Sequence, residues 1–207
     1  MWLQILVSVL AGYLLGNLNG SVCISALMHD DVRSHGSGNA GLTNFIRNYG
    51  AGQALLVVLI DAGKAVIACL VGGIILAPSG YWLEGLTLGG LAVMLGHDFP
   101  ALLGFRGGKG ILSGLFVAIS IDWRIALVLL AVFATAYFLT KFVSLGSVLA
   151  AIAFSICFVI LHNDAPYVMW GGVIMSALTV FMHRSNIVRL FKGEERKTDL
   201  FKKGNAQ

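Results

Sequence analysis

A chain of 207 residues in which 57% of side chains are hydrophobic and 12% charged is not an ordinary soluble domain, which carries about 25% charge. A mean hydropathy of +0.86 identifies a polytopic membrane protein whose solvent is the bilayer. The net charge of +4 and pI near 9.1 would suit nucleic acid, but in such a chain the basic excess belongs first to the cytoplasmic face, so no nucleic-acid partner is expected.

A spanning helix needs roughly 20 mostly apolar residues. Trp2–Leu27 supplies the first. Its polar interruption, Gly16-Asn17-Leu18-Asn19-Gly20-Ser21, suits close helix packing or an internal site. A polar loop follows over Met28–Gly52. The second span is Gln53–Ala77, ended by Pro78-Ser79-Gly80, and the third is Leu83–Leu103. Beyond the Gly104–Gly110 loop, Ile111–Ile121 and Ile125–Leu139 are both short and are read as helices that take length from their flanks. Val143–Leu161 and Ala165–Met182 complete the set, and His183–Gln207 is a basic tail. The expected fold is an all-α membrane protein of about seven transmembrane helices, some short, forming a single domain over residues 1–207.

Placing that tail in the cytoplasm puts twelve of the fourteen Lys and Arg residues on one side, with Arg124 on the other and Lys64 inside a span. Such asymmetry predicts an N-terminus outside and a C-terminus in the cytoplasm.

With that topology the polar motifs fall at one face. In Gly36–Arg47, three glycines within six residues let the backbone turn its N–H groups into an anion-binding nest. Ser37, Asn39, Thr43 and Asn44 add donors, and Arg47 adds a planar fork suited to phosphate. The second motif runs from His97-Asp98-Phe99-Pro100 through Gly104-Phe105-Arg106-Gly107-Gly108-Lys109-Gly110. It is not a Walker A loop, because the G-x-x-x-x-G-K-[ST] spacing is absent and Gly110 stands where the magnesium-binding hydroxyl belongs. Lys141 and Ser144 come next, then His183-Arg184-Ser185-Asn186 with Arg189 a turn beyond. Together these describe a site for one or two phosphate groups, although Arg106, Arg184 and Arg189 equally suit membrane anchors. His97 is a base, a phosphate ligand or a cap before Pro100. Asp61 and Lys64, at i and i+3 within a span, share a face and are expected to pair and brace the helix. His29, His35 and His162 show no partner pattern and are read as surface residues.

Several chemistries are disfavoured. Ser37 and Ser144 lie outside G-x-S-x-G. The H-x₄-D pairing of one acyltransferase class is missing, since Leu102 and Val188 stand five residues after His97 and His183. Cys23, Cys69 and Cys157 lie in apolar runs without metal-ligand or disulfide spacing and are read as small buried hydrophobes rather than disulfide or metal sites. An enzyme built this way would act on an already activated substrate, orienting groups and stabilising charge. A transporter for a small phosphate ester is the alternative, suggested by the interrupted and short helices.

Four stretches, Gly36–Asn44 (GSGNAGLTN), Gly96–Gly110 (GHDFPALLGFRGGKG), Val143-Ser144-Leu145 and His183–Ile187 (HRSNI), resemble in order the signature motifs of the bacterial integral-membrane acyl-phosphate:glycerol-3-phosphate acyltransferases. The resemblance implies transfer of a fatty acyl group from acyl-phosphate to the 1-hydroxyl of glycerol-3-phosphate at the inner leaflet of a bacterial plasma membrane, by a monomer without a cofactor. Carried over by motif, Ser37, Arg47, Lys109, Ser144, His183 and Asn186 would be the catalytic set. Gly38, Asn39, Gly41, Thr43, Asn44, His97, Gly107, Gly108 and Arg184 would bind substrate. The sequence departs from the family pattern at Leu42, where a small alanine is common, and such a side chain could narrow the site.

Overall fold

The computed structural model of the chain describes residues 1–198. The described residues contain ten α-helices and three short 3₁₀ turns, and no strand. Lys202, Lys203 and the end of the expected tail lie outside them.

The first expected span is broken into α1 (Trp2–Asn17) and α2 (Gly20–Leu27). A break in a bilayer leaves carbonyls at one helix end and N–H groups at the next without partners. Both ends are supplied from α4 (Ala54–Leu76), the second span. The Lys64 ammonium donates to Leu18 O at 2.5 Å and Gly16 O at 3.3 Å, while Asp61 Oδ1 accepts from Gly20 N at 3.1 Å. The two side chains also pair with each other at 2.8 Å, as their spacing predicts. Asn19 caps α2 through Val22 N and reaches Ala40 O at 2.9 Å.

The expected polar loop of residues 28–52 contains a helix, α3 (Leu42–Tyr49), whose Phe45 is fully buried against Val32 and Val57. Next come α5 (Trp82–Asp98), α6 (Ile111–Ile121), α7 (Trp123–Thr140), α8 (Val143–Leu161), α9 (Pro166–Met182) and α10 (Arg184–Phe191). By length and composition, five described segments can cross a membrane: Trp2–Leu27, Ala54–Ser79, Trp82–Leu103, Trp123–Thr140 and Val143–Leu161. Helices α9 and α10, bent by 56°, make a sixth if counted as one span. The difference from seven lies at α6, whose 11 residues extend about 16 Å, roughly half of a hydrocarbon core.

Helices α1 and α4 both pack on α5, and α6 lies across α4 and α5. The sequence α7, α8, α9 then leads back to α5. Small residues set the separations. A Cβ on Gly96 would run into the Tyr13 carbonyl of α1, and one on Gly85 into the Gly72 carbonyl of α4. In lipid, where apolar surface alone does not drive helices together, such backbone approach supplies the packing. Val93, Met94, Val117, Phe158 and Met175 fill the centre. His162, expected at the surface, is instead buried beside Asp122 at 3.4 Å, because it ends α8 against the start of α7.

Gly96→Val is expected to destabilise the protein by about 3 kcal/mol, the cost of forcing volume into a filled contact. Gly63→Ala, on the same bundle with nothing within 4 Å of the added carbon, should instead stabilise by up to about 1 kcal/mol. Thermal unfolding in detergent checks both, and equal shifts would refute the packing account.

Candidate functional site

A cavity of about 360 Å³ lies where α3, α6, α8, α9 and α10 meet. All six expected catalytic residues, Ser37, Arg47, Lys109, Ser144, His183 and Asn186, border it. So do Asn39, Gly41, Thr43, Asn44 and His97 of the expected substrate-binding set. Gly38, Gly107, Gly108 and Arg184 do not line it. Arg184 stacks on Phe181 at 4.4 Å and donates to its carbonyl, as a membrane anchor would. Leu42 borders the cavity at the start of α3.

One end of the cavity is cationic and polar; the other is apolar, walled by Leu115, Leu129, Phe133, Ala151, Phe154 and Met175. The first turns of α3, α6 and α8 border it, through Leu42 and Thr43, Ile111 and Leu112, and Val143 and Ser144. Unpaired N–H groups and the positive ends of helix dipoles favour an anion in such a place.

The glycine loops are held by their neighbours. Gly36 and Gly38 have φ of 59° and 69°, the left-handed conformation that the first motif was expected to need. The Asn44 amide is consumed inside this loop, donating to Val32 O and His35 O and accepting from Ser37 N. Asn39 ties the first loop to the second through Gly107 O at 3.3 Å. The second loop folds over His97, with Gly108 N donating to His97 O at 3.0 Å. A Cβ on Gly108 would overlap His97 Nε2.

At the cationic end, Lys109 donates to Asn186 Oδ1. Burial, followed by the Arg189 charge, brings the Lys109 ammonium down to about 8. Burial also lowers Arg47. Two residues that sequence reasoning missed complete the site. Glu195 accepts from Ser144 Oγ at 2.9 Å, Asn186 Nδ2 at 2.9 Å and Arg189 Nε at 2.7 Å. Burial acts to raise its carboxyl, but these hydrogen bonds prevail and hold it below the usual range. Thr198 accepts from Arg47 Nε at 2.9 Å and donates its N–H to Lys141 O at 3.0 Å. The chain after α10 therefore runs back across the cationic end. The available signal was the Glu194-Glu195 pair within a basic tail.

His183 Nδ1 lies 2.8 Å from Thr179 O, which can only accept, so Nδ1 carries a proton and a neutral ring leaves Nε2 as an acceptor. Among the described residues no serine, threonine or cysteine side chain hydrogen-bonds a histidine, and no cluster of three His, Cys, Asp or Glu residues could hold a metal.

A family model described as glycerol-3-phosphate acyltransferase matches residues 6–193. Glycerol-3-phosphate acyltransferases of Thermoanaerobacter sp. (strain X514) and Clostridioides difficile (strain 630) are 37% and 38% identical, each match covering 93% of this chain and 94% of the relative. Among solved structures, the glycerol 3-phosphate form of PlsY (YgiH), an integral membrane glycerol 3-phosphate acyltransferase, is similar with a TM-score of 0.83. It is 32% identical, over 96% of this chain and 99% of that one. Its lysophosphatidic acid form has a TM-score of 0.82 at 33% identity, over 95% and 96% of the two chains.

Because Lys109 titrates near 8 rather than at its ordinary value, its charge is present below that pH and is lost as pH rises through it. The dissociation constant for inorganic phosphate should therefore rise roughly tenfold between about pH 7.5 and about pH 9.5, although the dianion share of phosphate itself increases over that range. Lys109→Arg should remove that rise, because a guanidinium keeps its proton. Calorimetric titration across the range is the check, and a flat wild-type profile would count against it.

Proposed function

The chain belongs to the glycerol-3-phosphate acyltransferase family, and we propose that it transfers a fatty acyl group from acyl-phosphate to the 1-hydroxyl of glycerol-3-phosphate, giving lysophosphatidic acid and inorganic phosphate. The observation that carries this reading is the two-natured cavity, with cations and helix N-termini at one end and an apolar wall at the other. Phosphate groups fit the first, and a fatty chain fits the second.

The donor in this reading is one that asks for no activated nucleophile from the protein. Among the described residues no hydroxyl or thiol hydrogen-bonds a histidine, the pairing that would activate a nucleophile for a covalent acyl-enzyme route. An acyl-phosphate is a mixed anhydride with a good leaving group, so the protein need only orient and neutralise. The glycerol oxygen attacks the acyl carbon, the bond from that carbon to the phosphate oxygen breaks, and the phosphate departs with the electron pair and takes the hydroxyl proton. Arg47 and Lys109 offset the charge that gathers on the phosphates, and His183 Nε2 accepts a hydrogen bond from the hydroxyl before transfer. Ser37, Ser144 and Asn186 position the acceptor. This reading places the enzyme as a monomer in a bacterial plasma membrane, one domain over residues 1–207, with the site at the cytoplasmic face, the N-terminus outside and no cofactor.

Purified protein given acyl-phosphate and glycerol-3-phosphate should form lysophosphatidic acid, and acyl-CoA should not replace the donor. Well-folded protein that makes no product would falsify the assignment. Uptake of labelled glycerol-3-phosphate by proteoliposomes without a donor would favour the transporter suggested by the broken first span. Arg47→Ala and Lys109→Ala should each lower kcat/KM by about 100-fold or more, as loss of a charge-stabilising donor does. Near-normal rates in both would misplace the site.

A further inference from the structure

The buried cluster beneath the second glycine loop has a role beyond bracing. Four acceptors surround Lys64 Nζ: Leu18 O at 2.5 Å, His97 Nδ1 and Asp61 Oδ1 both at 2.8 Å, and Gly16 O at 3.3 Å. An ammonium has three protons and no lone pair, so it can only donate. His97 Nδ1 therefore accepts, and in a neutral imidazole the ring proton sits on Nε2. The opposite tautomer would set an N–H against an ammonium with no water to separate them. His97 is 5% exposed and borders the cavity, and its Nε2 hydrogen-bonds to none of the described residues. That nitrogen lies against Gly108, whose missing side chain leaves it room.

We propose that Lys64 is a positioning residue for acyl transfer: it holds His97 in the Nε2–H form, so that this N–H meets a phosphate oxygen of the acyl donor in the cavity that His97 borders. The inference rests on the acyl-phosphate reading given above. Asp61 pairs with Lys64 at 2.8 Å and supplies its counter-charge in an apolar surrounding. The two histidines on the cavity are then set in opposite senses, His97 giving a hydrogen bond through Nε2 and His183 receiving one there. A backbone carbonyl fixes the second, whereas the first depends on a side chain and can be changed by substitution.

The test reads tautomer and kinetics on the full-length protein in detergent. Imidazole ¹⁵N spectra of histidine-labelled wild type, assigned with His97→Gln and His183→Gln, should show a protonated Nε2 at His97 and a protonated Nδ1 at His183. Inorganic phosphate should shift the His97 Nε2–H resonance. In Lys64→Met/Asp61→Asn, which removes both charges together, His97 should become a mixture of tautomers. Its KM for acyl-phosphate should rise in inverse proportion to the remaining Nε2–H share, about twofold at an equal mixture, with kcat and the KM for glycerol-3-phosphate unchanged. The carboxamide of His97→Gln donates without any tautomer to fix, so on that background the double change should leave the donor KM unchanged.

A wild-type His97 protonated on Nδ1 or on both nitrogens overturns the proposal. So does a mixed tautomer with an unchanged donor KM, or a His97 resonance indifferent to phosphate. The wild-type spectrum and phosphate titration decide the matter even where the double variant does not fold. A failure of the acyl-phosphate reading is distinguishable, because it shows as absent product while the tautomers and the phosphate shift remain as described.

Discussion

A helix that breaks within a spanning segment and starts again exposes backbone groups that no water can satisfy. The pair Asp61 and Lys64 answers that demand with the right sign at each end. The ammonium meets the carbonyls that finish α1, the carboxylate meets the N–H that begins α2, and each charge also faces the helix dipole it complements. A buried ion pair is often no more stable than an apolar substitute. Here the two charges stand in for missing backbone partners, so neither can be lost alone. The same ammonium reaches His97, which joins the break in the first span, the middle of α4 and the end of α5 at one point.

From that point the site is assembled outward. The break turns α2 aside, the loop after it carries α3, and Asn39 fastens that loop to the glycine turn that follows α5. Close backbone contacts, Gly96 against α1 and Gly85 against α4, hold the scaffold tight enough for the two loops to face one cavity. Helices α7 to α9 wall its apolar side, and α10, bent away from α9, brings Asn186 and Arg189 to the cationic end. Rigid spans thus set the positions of loop residues that have little regular structure of their own.

Much of this could be read in the sequence, for identifiable reasons. Long apolar runs locate spanning helices because the hydrocarbon thickness admits few alternatives. An i, i+3 pair of opposite charges inside such a run has nowhere to go but to each other and the protein interior, and Asp61 and Lys64 behave so. What stayed hidden depends on tertiary partners. Leu42–Tyr49 is too short and too polar to announce a helix, and is stabilised by burying Phe45 under residues brought from elsewhere. Asn44 looks like a ligand donor and is consumed by its own loop. His162 carries no local sign of the Asp122 that buries it. Glu195 and Thr198 sit in a charged segment that composition assigns to solvent, and only the geometry of the turn after α10 brings Glu195 to the cavity and Thr198 to Arg47.

That returning segment changes what occupancy of the site means. The cationic end already has a tenant, a carboxylate tethered three residues before Thr198 and held by Ser144, Asn186 and Arg189. A visitor bearing one negative charge gains little by replacing another single charge that is chemically attached and always nearby. Glu195 is thus a built-in counter-ion whose three hydrogen bonds an incoming anion has to replace.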